Sequence, residues 1–401
     1  MKRGFTKLNN PERFTTPFTV SKSKLEAAAT EALDMLRKMG KEGGVGFPSS
    51  GAGFRYNFAN ENNSWTHGMY AGCYWLAYEI SGDKWFWEQA EALTSTFRKR
   101  LDKKVGMDDH DVGFAFTPSC VAQYKLTGDE NARKTALDAC KYFYEKSYSK
   151  EGKFIIRSWK NWDNGSGCRT MMDSLMNAPL LFWAGNETGN KDYFNAARDH
   201  VKTTEELLIR ADGSSYHHYQ FDPATAAPVG GLTFQGNRDE SCWSRGHSWG
   251  VYGFPVAYSY TKEDYLVDLN RDITYFMLNR LPDDFIPAWD YDFTSTKAVK
   301  DASSGVISAC GFYDMASMLP DSSPDKAIYT NAANRILDAT IDLCTGDNGI
   351  PDRDGLIFHV TPYASAPDPT KRSIDRIAVY GDYFYLEALL RALNIEYRLH
   401  W

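Results

Sequence analysis

The chain of 401 residues has no CxxC pair, no lysine- or arginine-rich run, no long apolar stretch and no low-complexity linker. Each absence excludes something. The seven cysteines (Cys73, Cys120, Cys140, Cys168, Cys242, Cys310 and Cys344) are odd in number and scattered, which reads as reduced, buried thiols and neither a disulfide framework nor a metal site. A net charge of -7 without a basic patch argues against nucleic acid, because phosphate binding needs concentrated positive surface. A small anionic substrate stays open, since one buried arginine can hold a carboxylate whatever the overall sign. The opening MKRGFTKLNN carries positive charge with no apolar run behind it, so no signal peptide or membrane span is expected. The expectation is a cytoplasmic or periplasmic protein without a membrane partner, a monomer or weak homo-oligomer.

Aromatic residues, by contrast, are plentiful: 11 Trp, 24 Tyr and 23 Phe. Most must fill the core, although flat rings also suit pyranose faces. A second feature is repetition. YEISGDKWFWEQA, YKLTGDENARKTA and GNETGNKDYFNAA each join two apolar helical runs through a polar turn, at Ser81-Gly82-Asp83, Thr127-Gly128-Asp129 and Thr188-Gly189-Asn190. Gly ends one helix and Asp or Asn starts the next. Looser versions stand at Tyr260-Thr261-Lys262 and Leu319-Pro320-Asp321. Such periodicity signals stacked helical hairpins.

Reading outward from these turns predicts two alternating series of six helices. Charged, amphipathic outer helices begin near Lys22, Asp83, Asp129, Asn190, Lys262 and Ser323; inner helices rich in small and aromatic residues begin near Trp65, Asp111, Met171, Trp243, Asp301 and Ile374. The expected fold is all-α, an (α/α)6 barrel formed by a single catalytic domain over 1–401, with 1–21 as an N-terminal extension. The outer-to-inner connections are long and irregular, and loops of that kind on a rigid scaffold usually carry chemistry. They gather at one mouth, over helix N-termini whose partial positive charge suits an anionic sugar.

Asp111 in HDVGF and Asp173 in TMMDSLMNAP each open an inner helix, one repeat apart. Neighbouring inner helices should therefore bring two carboxyl groups together, and such a pair splits its pKa values so that one acid keeps a proton. Each could equally be a helix N-cap. In SCWSRGHSWGVYG, Arg245 and Trp249 are spaced i, i+4 and share a helix face. That Arg could bind a carboxylate with the ring as a platform, or pair with an Asp to hold the barrel together. Asp347, Asp352 and Asp354 read as acidic turn residues, since the spacing lacks the terminal Glu of a calcium loop.

Together, HDVGF, MMDSLMNAPLLFWA and FQGNRDESCWSRGHSWGVYG closely resemble the unsaturated glucuronyl hydrolases of glycoside hydrolase family 88, in the same order from about Trp65 to the last helix. The resemblance implies an (α/α)6 barrel that needs no metal or cofactor and removes 4,5-unsaturated uronic acids from the ends of lyase-generated oligosaccharides of glycosaminoglycan or ulvan type. It further implies that the proton-donating aspartate falls on Asp173 and the second catalytic aspartate on Asp111, which would help keep Asp173 protonated. Substrate contacts fall on Trp65, His110, His217, Gln235, Arg245 and Trp249. Where relatives commonly have WxRGQAW, this chain has WSRGHSW, with His247 replacing Gln.

The nearest alternatives are an unsaturated rhamnogalacturonyl hydrolase, a conventional inverting glycosidase on the same barrel, and a non-catalytic sugar-binding barrel. Lys371 and Arg372 precede the last inner helix and either reach a sulfate on the neighbouring sugar or form a solvated surface pair.

Overall fold

The computed structural model describes residues 6–49, 54–163, 165–346, 352–395 and 400–401; Asp347 lies outside them. A short turn of helix, α1 (Glu12–Thr15), precedes twelve helical segments that alternate between an outer and an inner layer. The outer layer comprises α2 (Lys22–Gly43), α4 (Lys84–Lys103), α7 (Glu130–Ser147), α9 (Lys191–Leu208), α11 (Tyr265–Arg280) and α13 (Pro324–Cys344). The inner layer comprises α3 (Thr66–Ser81), a composite of α5 (Val112–Phe116), a π turn (Thr117–Val121) and α6 (Ala122–Thr127), then α8 (Pro179–Thr188), α10 (Ser244–Thr261), α12 (Ala302–Met318) and α14 (Val379–Ala392). Each inner helix packs on the next and α14 returns to α3, which closes the ring of an (α/α)6 barrel.

The composition of the two layers follows their surroundings. α12 buries nearly every residue of ASSGVISACGFYDMASM, because it has neighbours on both sides and an outer helix behind. α9 buries only one stripe (Ala196, Ala197, His200, Val201, Thr204 and Leu208) and turns its charges to solvent. One core cluster draws on all twelve segments. All seven cysteines are free and buried within the barrel and its loops.

The inner-to-outer turns form as their sequences demand. Gly82, Gly128 and Gly189 take positive φ of 68°, 74° and 70°, which glycine adopts without strain. Asp83 then accepts from the amide of Trp85 (2.8 Å), Asp129 from those of Asn131 and Ala132, and Asn190 from that of Asp192 (2.9 Å). Lys262 lacks a preceding glycine and itself turns left-handed (φ 55°), so α11 starts three residues later than the expected Lys262.

Two inner helices also begin later than expected. Residues 373–376 are held in antiparallel bridges, Ser373 with Tyr363 and Arg376 with Val360, so the last helix begins at Val379 instead of near Ile374. After Met171 the chain makes a 3-10 turn (Met172–Met176) before α8 starts at Pro179, leaving Asp173 on that tight turn.

The long loops contain short strands: β1 (Phe47–Ser49) with β2 (Asn57–Ala59), β3 (Tyr148–Ser149) with β4 (Phe154–Ile155), and a three-stranded sheet of β5 (Arg169–Met171), β6 (His218–Phe221) and β7 (Pro228–Leu232). The last of these stiffens one wall of the mouth. Asp354 is not a surface turn residue: its carboxylate is fully buried, accepts from the Tyr56 amide (2.8 Å) and faces Arg55 at 3.1 Å. Asp352 is exposed and pairs with the same arginine at 2.6 Å.

Candidate active site

A cavity of about 550 Å³ opens where the inner helices begin, and all eight expected residues line it: Trp65, His110, Asp111, Asp173, His217, Gln235, Arg245 and Trp249. Their chain separations collapse because each belongs to, or sits beside, the start of an inner helix.

The centre of the site is His110, whose side chain is 5% exposed and whose Nε2 lies 3.2 Å from Asp173 Oδ1 and 3.4 Å from Asp111 Oδ1. Neither contact is a well-aligned hydrogen bond, and both Nε2 and Asp173 Oδ1 are buried without another partner. The other ring nitrogen, Nδ1, faces the Arg157 carbonyl at 3.2 Å, which fixes a proton there. An unprotonated Nε2 would then meet two carboxylates lone pair to lone pair, so the three groups must share at least one further proton. Asp111 occupies the N-cap position of α5 without bonding a free amide of that helix. The N-cap alternative is therefore not realised.

Burial alone would depress the His110 imidazolium, but Asp111 and then Asp173 outweigh it and push the pKa up to about 10. Burial raises Asp111 to about 7 against the pull of His110. At Asp173 burial acts upward too, yet His110 more than reverses it and holds the group below the usual carboxylate value. The expected order is thus inverted in the free cavity: Asp111 carries the raised pKa, and Asp173 is the anion beside the imidazolium. His217 is kept neutral by burial first and then by His218.

Second-layer bonds set the geometry. Asn177 accepts from the Phe114 amide (2.7 Å) and donates to the Asp173 carbonyl (3.3 Å), tying the two aspartate turns together. His217 contacts Thr233 Oγ1 at 3.1 Å and packs on Phe234 and Trp243. Trp65 stacks on Tyr380 with ring centres 5.3 Å apart, and Trp249 packs against Phe114 below.

Arg245 lines the cavity and pairs with the fully buried Asp301 at 2.6 Å, the structural one of its two readings. Its guanidinium lies between Trp243 and Tyr380, not over the expected Trp249. His247 points away from the cavity, contacting Ser215 Oγ at 3.0 Å and the Ile273 carbonyl at 2.8 Å. Its substitution for Gln therefore touches no substrate directly. Lys371 and Arg372 are exposed and do not line the cavity.

The lining residues not expected from the sequence include Tyr380, whose buried hydroxyl has no partner, Trp243 and Arg157. Tyr380 and Trp243 begin inner helices as the other site residues do, a signal that could have found them. Arg157 sits in an irregular loop, FIIRSWKNW, with nothing to set it apart from Lys160. Asp109, His110 and Asp111 offer ligand atoms within 4.8 Å of one another and could admit a cation. However, an Asp109 oxygen already accepts from the Asp111 amide at 3.0 Å.

Residues 49–280 match the model of Glycosyl Hydrolase Family 88. The chain is similar to the unsaturated chondroitin disaccharide hydrolase of Streptococcus pneumoniae, at 35% identity over 98% of each chain. It is also 35% identical to the unsaturated glucuronyl hydrolase of Bacillus sp. strain GL1, over 91% of this chain and 96% of that one. Among solved structures, unsaturated glucuronyl hydrolase from Streptococcus agalactiae superposes with a TM-score of 0.92 at 32% identity, covering 100% of both chains. With two aspartates gathered on one histidine at the mouth of this barrel, and with matches of this extent, the chain belongs to glycoside hydrolase family 88.

Proposed function

We propose that the protein removes the 4,5-unsaturated uronic acid from the non-reducing end of glycosaminoglycan-type oligosaccharides by hydrating the C4=C5 bond. The observation that carries this reading is the placement of Asp111 and Asp173 on a single buried imidazole, open to a cavity large enough for a sugar. The relatives named for unsaturated chondroitin disaccharides support that substrate class.

The chemistry follows from the substrate. A C4=C5 enol ether beside a carboxylate is poorly suited to ordinary departure of the glycosidic oxygen, but it accepts a proton at C4, developing oxocarbenium character at C5. Asp173 gives that proton and, as a carboxylate, then takes one from the water that adds to C5. The C5 hemiketal opens to a ketone, leaving a hemiacetal at C1 that collapses to an aldehyde and releases the second sugar. Asp173 is ionised in the free cavity, so it must gain a proton as the substrate enters. The arriving carboxylate and the water it displaces both favour that uptake, and the His110 imidazolium beside Asp173 is the nearest proton source. Trp65 and Trp249 bound the sugar, and Asp111 holds its hydroxyls. One observation favours exchanging the two aspartates: Asp111 holds the higher pKa.

The test is optical. The conjugated enol ether absorbs ultraviolet light, and lyase-digested chondroitin should lose that absorbance when the protein is added. A sugar-binding barrel without catalysis would leave it unchanged.

A further inference from the structure

We infer that Arg157, rather than Arg245, is the guanidinium that receives the carboxylate of the unsaturated sugar, an inference that rests on the function proposed above. The two arginines line the same cavity but differ in what they already hold. Arg245 Nη1 donates to Asp301 (2.6 Å) and the Thr361 carbonyl (2.9 Å), while Nη2 donates to the Pro362 carbonyl (2.9 Å) and Gln235 Oε1 (3.4 Å). Its charge is cancelled by a carboxylate with no solvent exposure. Moving it toward a ligand would strand Asp301 as an unpaired buried anion.

Arg157 is the opposite case. Its main chain is clamped: the amide donates to the Arg169 carbonyl (2.8 Å), and its carbonyl accepts from the His110 amide (3.1 Å). Its side chain is half-buried at the cavity wall, yet among the described residues it donates no hydrogen bond and forms no ion pair. A guanidinium with its fork unused on a fixed stretch of backbone has its donors available for a bidentate anion. The Arg157 carbonyl faces His110 Nδ1 at 3.2 Å, and that ring touches both aspartates, so Arg157 stands at the reacting end of the cavity. There C4 takes the proton, and the carboxylate is borne by the adjacent carbon, C5. A sulfate ester would arrive on the second sugar, farther from the aspartates.

Steady-state kinetics of Arg157→Gln and Arg157→Lys, followed by loss of absorbance, test this on the unsaturated chondroitin disaccharide, its 6-sulfated form and the uronate methyl ester of each. In Arg157→Gln, KM should rise about ten- to a hundredfold, equally on sulfated and unsulfated substrate, with Arg157→Lys between. Esterification should cost the wild type a similar factor and cost Arg157→Gln less than about twofold, because both changes remove one contact. A structural role for Arg157 would leave the ester penalty intact. An unchanged KM, an intact ester penalty, or a loss confined to the sulfated substrate would each overturn the assignment. Should the Gln variant not fold, the ester penalty of the Lys variant decides in the same way. A wild type that leaves the absorbance unchanged defeats the proposed function itself, whereas an active wild type with an indifferent Arg157→Gln defeats only this inference.

Discussion

The inner helices carry a buried cluster of charge at each end, and the two clusters are built on opposite terms. Toward the helix C-termini, Arg391 donates to Asp314 (2.7 Å), to Glu387 (3.1 and 2.9 Å) and to the Tyr252 hydroxyl (2.8 Å). Glu387 also accepts from the Tyr252 hydroxyl and the Trp401 indole. Both acids there share a permanent cation held by several bonds. At the mouth, two acids share one imidazole whose proton is exchangeable, and its contacts to them are misaligned. Burial of charge is common to both ends, so burial does not distinguish function from scaffold. Nor do unmade bonds beside a cavity, since Asp314 Oδ2 lacks a partner and Asp314 lines one too; a proton that can move does, and Arg391, unlike His110, cannot release one.

The sharpest way to break this contrast is to neutralise one member at each end. Asp173→Asn should lower kcat by about two to four orders of magnitude, with the urea midpoint near that of the wild type. Retained turnover in that variant, with loss in Asp111→Asn, would hand the donor role to Asp111. Arg391→Met should act the other way round. Stranding Asp314 and Glu387 should cost about 3–5 kcal/mol in urea unfolding, while kcat per folded molecule stays unchanged. A penalty below about 1 kcal/mol would mean that the lower cluster does not hold the barrel as its bonds suggest.

The same contrast separates what was legible in the sequence from what was not. The barrel was written locally: each Gly-Asp or Gly-Asn turn specifies a left-handed residue followed by a cap, and three repeats give the hairpin period. Seven of the eight site residues were legible because they stand at inner-helix starts or within family-like motifs, whereas His217, in a long loop, was implied only by the resemblance. Relations between distant segments were not. The pairing of Arg245 with Asp301 spans 56 residues, and the bridges that delay α14 to Val379 join loop strands with no periodic signature. The inverted order of the two aspartates depends on how burial, the His110 ring and neighbouring groups such as Asp109 and His217 bear on each carboxyl group, which only the folded geometry sets.

The smallest expected effect bears on that inverted order. Burial raises Asp111 from 3.8 to about 7, so the folded state binds this proton more tightly than the unfolded chain does. The resulting contribution to stability is complete below the unfolded value and is lost as pH rises through about 7. Replacing Asp111 by a neutral Asn should therefore stabilise the protein by about 1–2 kcal/mol at pH 8, where the native acid is forced to ionise while buried. Near pH 4, where Asp111 is protonated in the fold, the gain should shrink toward zero. Urea denaturation at the two pH values measures both quantities. If Asp111→Asn is instead less stable at pH 8, attraction between the Asp111 carboxylate and the His110 imidazolium outweighs burial. Asp111 would then be an anion in the free enzyme, and the proton shared at the mouth would reside on His110 alone.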